Sequence, residues 1–207
     1  MMAMAIRTAA FCVAMTILGC AYAHEPTLTT MRLDFDDGTC SGTVVAPSVI
    51  LSAGHCFETD EEENDWGWKI PAPTSVLVDG YKVNILAVVK DGNDHALAKV
   101  DFVFSHYERI HKAPQVGAKV HWWGNPGGLN NVYREGYIAS YHHSDMIMDI
   151  NGFFGDSGAG VFNEFEELVG VVSYINVNAH EGMKFTLMGA KALEFTPLQY
   201  DMMGVKP

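Results

Sequence analysis

The segment GFFGDSGAGV, residues 152–161, places a single hydroxyl, that of Ser157, among several glycines and one alanine. Glycine lets the backbone turn sharply, so neighbouring peptide N–H groups can point in the same direction. A serine hydroxyl is a poor nucleophile at neutral pH and reacts only when an adjacent base removes its proton. If Ser157 is a nucleophile, the sequence must also supply a base and a third group that orients that base.

Candidates for both partners lie earlier in the chain. His55 stands in SAGHC, directly before Cys56, and Asp94 stands in DGNDHALAKVD at the start of an apolar strand. Asp91 is a nearby competitor for the role of the acid, but we favour Asp94 because the apolar strand begins right after it. The order of the three groups along the chain is therefore histidine, aspartate, serine.

Three short motifs carry a family resemblance. SAGHC, DHALAKV and GDSGAG resemble the histidine, aspartate and serine motifs of the trypsin/chymotrypsin-like serine proteases. The small size and the GNPGG loop, 124–128, look more like the bacterial branches, which include periplasmic stress proteases and glutamyl endopeptidases. The resemblance covers roughly residues 38–190, and Ala159 and Val161 depart from the family's usual glycine and proline.

The resemblance implies an all-β fold of two antiparallel six-stranded β-barrels, with the active site in the cleft between them. It implies a Ser157–His55–Asp94 triad, an acyl-enzyme, and an oxyanion hole formed by the N–H groups of Gly155 and Ser157. Neither a metal nor an organic cofactor is needed, and the partner is a protein or peptide substrate. The alternative is a catalytically inactive binding protein on the same fold.

The same resemblance suggests the substrate pocket and a partner for Asp156. Asn151 would form the floor of the pocket, and Ser173, Tyr174 and Ile175 would line one wall, with Ser173 also touching the region of Asp94. The other wall would come from about 182–185. A neutral pocket floor favours a neutral or small apolar substrate side chain. No IVGG-like terminus occurs near His24 to pair with Asp156, so Arg134 is the predicted partner of Asp156.

Residues 1–23 have the features of an export signal. One positive charge, Arg7, precedes an apolar run that is too short to span a bilayer, and the segment ends in an A-x-A cleavage pattern before His24. A second interpretation is a lipoprotein box that ends at Cys20, which would then carry a lipid and attach the chain to a membrane. Both interpretations predict a secreted or periplasmic protein.

Cys40 and Cys56 remain once the signal is removed. In an exported protein two cysteines favour one disulfide, which here would hold the loop of His55, and two buried free thiols are the alternative. The strand-like runs predict barrel halves at 24–110 and 111–207, and 192–203 could hold a short terminal helix.

The composition limits the function classes. The 207 residues are 48% hydrophobic and carry a formal net charge of -12, which argues against nucleic acid as a partner because phosphates are bound by clustered Lys and Arg. An acidic loop, FETDEEENDWGW, is predicted to be a solvated surface segment rather than a calcium site. The oligomeric state does not follow from the sequence.

Overall fold

A computed structural model describes residues 26–36, 38–58, 74–143, 145–180, 183–191 and 193–206. For residues 26, 176–180, 183–186 and 191 it describes the backbone alone. The predicted export signal with Cys20 and most of the acidic loop lie outside the described residues. Among the described residues, no helix has the length and apolar character needed to cross a bilayer.

The first barrel contains six antiparallel strands and closes in the order β1-β2-β3-β6-β5-β4. Its strands are β1 (Thr30–Phe35), β2 (Gly38–Ala46), β3 (Val49–Ala53), β4 (Ser75–Val78), β5 (Tyr81–Lys90) and β6 (His95–Val100). Pro47 lies in the turn between β2 and β3, where a residue without a backbone N–H is tolerated. A 3₁₀ turn, Gly54–Phe57, follows β3 directly.

The second barrel repeats this architecture and closes in the order β10-β11-β12-β9-β8-β7. Its strands are β7 (Lys119–Gly124), β8 (Val132–His142), β9 (Asp145–Asp149), β10 (Gly160–Asn163), β11 (Leu168–His180) and β12 (Met183–Lys191). Residues 101–118 connect the two barrels. The prediction of two antiparallel six-stranded barrels is confirmed.

Three apolar clusters stabilise this arrangement. One fills each barrel, and the third lies between the barrels, where Leu51 and Leu97 of the first meet Phe162 and Leu168 of the second. Most of strand β2 is buried on both of its faces. Adjacent residues of a strand point to opposite sides. Its residues therefore serve the core of the first barrel and the cluster between the barrels in turn.

The chain ends in a helix, α1 (Pro197–Met203), that covers the cluster between the barrels. Thr196 caps it, because its side chain accepts a hydrogen bond from the Gln199 N–H while the Gln199 side chain accepts from the Thr196 N–H. Gly204 ends the helix in the left-handed conformation. The structure therefore has a short helix where the sequence suggested one.

Candidate active site

His55 and Asp94 meet at one end of a strand pair. His55 lies in the 3₁₀ turn after β3, Asp94 precedes β6, and the two strands pair in antiparallel register. His55 Nδ1 is 3.0 Å from both carboxylate oxygens of Asp94, and the His55 backbone N–H donates to Asp94 Oδ1 at 2.8 Å. An ionised carboxylate only accepts hydrogen bonds, so Nδ1 carries the proton and Nε2 of the neutral ring is free to act as a base.

Asp91, the competing acid, has a different partner. Its Oδ2 is 2.7 Å from Nδ1 of His95, and both side chains are fully buried. Burial by itself raises the pKa of Asp91, but the hydrogen bonds from the His95 ring and from the Glu194 and Asn93 N–H groups outweigh it, and the net pKa is lowered. Asp91 therefore fastens the C-terminal segment to the first barrel, and Asp94 is the acid that contacts His55.

The turn that carries Ser157 is fastened to both barrels. The Ser157 carbonyl accepts a hydrogen bond from the Ser41 N–H of β2 at 2.7 Å. The N–H of the next residue, Gly158, donates to Val172 O of β11 at 2.7 Å. Ser157 and His55 line the same cavity. No hydrogen bond joins Ser157 Oγ to the His55 ring in the described part of the chain; in unliganded enzymes such contacts are often long and shorten when substrate binds.

Two glycines shape the backbone around Ser157. Gly155 has φ +103° and Gly158 has φ +87°, a region that residues with a Cβ rarely adopt. A Cβ on Gly155 would also overlap the carbonyl of Asn125, and one on Gly158 would overlap Ser41 O. The N–H groups of Gly155 and Ser157 donate to no acceptor among the described residues, so both could bind a developing oxyanion.

A buried polar network positions the peptide of Gly155. Ser41 Oγ donates to Gly155 O at 2.7 Å and accepts from the backbone N–H and the side-chain Nδ2 of Asn125, at 3.0 and 2.9 Å. Asn125 Nδ2 also lies 3.2 Å from Met31 O, and its Oδ1 accepts from the Asn131 N–H at 3.1 Å. Sequence reasoning missed the role of Ser41, a polar residue shortly before an apolar run, and of Asn125, which lies in the GNPGG loop.

We expect Ser41→Ala to lower kcat by about 10- to 100-fold with little change in KM, because small displacements of catalytic groups have effects of this size. Without the hydroxyl, the carbonyl of Gly155 loses its donor. The peptide between Gly155 and Asp156, which links the two N–H groups of the predicted oxyanion hole, can then rotate. Steady-state kinetics on a peptide substrate measure the effect. Ser140→Ala is the control, because Ser140 is exposed and its hydroxyl donates to Tyr141 O, with no other partner among the described residues. A rise in KM at unchanged kcat would contradict a positioning role.

Asp156 is fully buried beside Ser157 and pairs with Arg134 of β8, as the sequence suggested. Asp156 Oδ2 accepts from Arg134 Nε at 3.1 Å and from the Phe153 N–H at 2.9 Å. Burial raises the pKa of Asp156 more than these two donors and the neighbouring Trp122 indole lower it. Asp156 Oδ1 and Trp122 Nε1 are nevertheless both buried without a well-formed hydrogen bond within the described part of the chain.

A cavity of about 550 Å³ opens beside Ser157. Its described lining consists of His55, Gly152, Phe153, Phe154, Ser157, Val172, Ser173, Tyr174, Ile175 and Met188. The three residues predicted for one wall, Ser173, Tyr174 and Ile175, are among them. Asn151, the predicted floor, is exposed and does not line the described cavity, because the turn that leads to Ser157 directs the next residue, Gly152, toward it.

Two further expectations concern the walls of this cavity. Ser173 is buried, but its Oγ has no hydrogen-bond partner among the described residues, so the expected contact with Asp94 is not observed as a hydrogen bond. The predicted second wall, 182–185, lies outside the described side chains. Sequence reasoning missed Met188, which pairs with Ile175 across β11 and β12.

The Cys40–Cys56 disulfide predicted from the cysteine count is present, with the two sulfurs 2.07 Å apart. It joins β2 to the 3₁₀ turn that carries His55. The bridge therefore links the strand that contacts the Ser157 turn to the loop of the candidate base. A disulfide in this place is typical of proteins that work in an oxidising compartment.

The two closed six-stranded barrels have the chymotrypsin fold, and solved structures share it. A Glu endopeptidase is 20% identical with a TM-score of 0.63, covering 86% of this chain and 90% of that one. Rv3671c from M. tuberculosis H37Rv, in an inactive form, is 14% identical with a TM-score of 0.64, covering 86% of this chain and 88% of that one.

The family model described as a trypsin-like peptidase domain matches residues 40–171, and the chain belongs to this family. It is therefore a hydrolase of the protease type. The matched range includes His55, Asp94 and Ser157. No curated protein matches the chain.

Proposed function

We propose that this protein is a serine endopeptidase that cleaves peptide bonds through Ser157, His55 and Asp94. The observation that carries the proposal is the hydrogen bond between His55 Nδ1 and the Asp94 carboxylate, at the edge of a cavity that both His55 and Ser157 line. In this proposal the first barrel supplies the base and the orienting acid, and the second barrel supplies the hydroxyl.

The proposed reaction has two halves. Ser157 Oγ attacks the substrate carbonyl carbon while His55 Nε2 takes the hydroxyl proton, and the carbonyl oxygen becomes an anion that accepts from the N–H groups of Gly155 and Ser157. His55 then protonates the departing amine nitrogen, the C–N bond breaks and an ester on Ser157 remains. Water, deprotonated by His55, attacks the ester, and the Ser157 hydroxyl re-forms as the acid product leaves.

Asp94 stabilises the positive charge that His55 carries between the two proton transfers. Its side chain is 21% exposed and that of His55 is 43% exposed, so the pair lies at the cleft surface, where substrate can cover it. Covering the pair removes water and strengthens the attraction between the imidazolium and the carboxylate.

We also propose that the enzyme works outside the cytoplasm and needs no further cleavage of its N-terminus. The export signal predicted at 1–23 and the Cys40–Cys56 disulfide support the location. Arg134 already supplies the cation that Asp156 needs, so no new N-terminal amine has to insert beside it.

The test is covalent labelling of the purified chain from His24 with a fluorophosphonate probe. We expect stoichiometric labelling of the parent, no labelling of Ser157→Ala, and parent-like labelling of the control Ser140→Ala. Mass spectrometry locates the adduct. An unlabelled parent would instead favour the inactive binding protein, and a label retained in Ser157→Ala would contradict the assignment of Ser157 as the nucleophile.

A further inference from the structure

The cavity beside Ser157 is where the side chain on the acyl side of the cleaved bond must enter. Ser157 lines this cavity, and two of its described walls are the segment that precedes Ser157, 152–154, and the β11 segment 172–175. A carbonyl within reach of Ser157 Oγ therefore places the side chain of its own residue between these two walls. The lining of the cavity decides which side chains fit, and this inference rests on the function proposed above.

The described lining offers no counter-charge. Apart from His55, Ser157 and Ser173, the lining is aliphatic, aromatic or glycine, and the Tyr174 hydroxyl is engaged with Asp145 Oδ2 at 3.3 Å. A charged side chain that enters an apolar cavity loses its hydration, and without an opposite charge nothing replaces it. The described lining thus favours an uncharged, apolar substrate side chain.

Met188 limits the depth of the cavity. It is only 1% exposed, and a methyl group added to Gly152 would overlap its sulfur and its terminal carbon. The thioether therefore lies directly against the Gly152 backbone and narrows the gap between the two walls. On the β11 side Ile175, its partner in register, narrows the same gap.

We propose that the substrate residue whose carbonyl is attacked is aliphatic, namely alanine, valine or leucine, and that Met188 determines this specificity. A planar aromatic ring would have to slide between the Gly152 backbone and the opposite wall, where the Met188 side chain already lies. An aliphatic group packs against the flexible thioether without displacing it.

The first arm of the test compares peptides that differ only in this residue: Ala, Val, Leu, Phe, Lys and Glu. We expect kcat/KM for the aliphatic peptides to exceed that for Phe by about tenfold or more, the range that a few methylene groups produce in an apolar pocket. Lys and Glu peptides should be cleaved more slowly still. Fastest cleavage after Phe, Lys or Glu would overturn the proposal.

The second arm uses Met188→Ala, which should raise the Phe-to-Val ratio of kcat/KM by about 10- to 100-fold. Met146→Ala is the matched control, because Met146 is also buried in this barrel and packs against a glycine, Gly170, but does not line the cavity. It should lose stability and keep the parental ratio. An unchanged ratio in Met188→Ala, or an equal change in Met146→Ala, would overturn the role of Met188.

A binding measurement separates this proposal from the proposed function. In the Ser157→Ala background, calorimetry gives the dissociation constants of the Val and Phe peptides without turnover, and we expect Val to bind about tenfold more tightly. If the parent fails to cleave while this preference remains, the function fails and the specificity stands. If the parent cleaves but Phe binds better, the specificity fails and the function stands.

Discussion

Asp94→Asn is expected to lower kcat by about 10⁴-fold while the fold is retained. The carboxylate accepts from both the His55 ring and the His55 backbone N–H. An amide can satisfy the backbone N–H through its oxygen and then present its NH₂ group to Nδ1. The proton of neutral His55 then moves to Nε2, which can no longer take a proton from Ser157. Steady-state kinetics, with circular dichroism as a check on folding, measure the effect.

Asp91→Asn is the informative comparison, because Asp91 is the other aspartate that precedes the same strand. It holds His95 and the backbone of Glu194 instead of His55. We expect a less stable protein, since a buried partner of His95 is weakened, but a parent-like kcat per folded molecule. A loss of kcat of about 10⁴-fold in Asp91→Asn, with near-normal turnover in Asp94→Asn, would show that the acid was assigned wrongly.

Arg134→Ala is expected to lower the free energy of unfolding by about 3–5 kcal/mol, because it leaves the fully buried Asp156 carboxylate without its cation. Asp156 also accepts from the Phe153 N–H and stands beside Ser157. Rearrangement of this turn should therefore remove most of the activity as well. Urea titration followed by fluorescence gives the stability, and fluorophosphonate labelling gives the fraction of reactive serine.

The effect of Arg134→Ala should depend on pH in a defined direction. Burial already raises the pKa of Asp156 above its ordinary value, and loss of Arg134 raises it further. The folded state then binds a proton more tightly than the unfolded state, so its stability rises as pH falls through the folded pKa. The difference in the free energy of unfolding between Arg134→Ala and the parent should therefore become smaller at acidic pH. A difference that widens in acid would contradict the assignment.

Lys119→Ala is the matched control for Arg134→Ala. Lys119 lies on the neighbouring strand β7 and pairs with Glu135 at 2.9 Å, but this pair is on the surface, with about half of each side chain exposed. Exposed ion pairs contribute little to stability, because water and salt screen them and their side chains lose conformational entropy. We therefore expect near-parental stability and activity. A large loss in Lys119→Ala would mean that charge on this face, not the buried pair, stabilises the barrel.

Much of the β-sheet could be predicted from local pattern. The apolar runs around Pro47 and after Asp94 become β2, β3 and β6, and the Thr196–Pro197 start with Gly204 at the end marks α1. These signals are short in range, since turns and caps depend on neighbouring residues. Local patterns do not specify which strands pair to close each barrel. That pairing depends on how the apolar clusters pack.

In the candidate site, too, some features are local in the sequence and others depend on tertiary contacts. The sequence by itself determined which histidine, aspartate and serine to consider, because a glycine-rich turn, an adjacent cysteine and the start of an apolar strand are local features. Only the tertiary structure decided that Asp94 contacts His55 while Asp91 contacts His95, that Ser41 holds the carbonyl of Gly155, and that Met188 packs against Gly152 in the lining of the cavity. Ser41 and Gly155 are separated by 114 positions, and such contacts form only when the two barrels pack together.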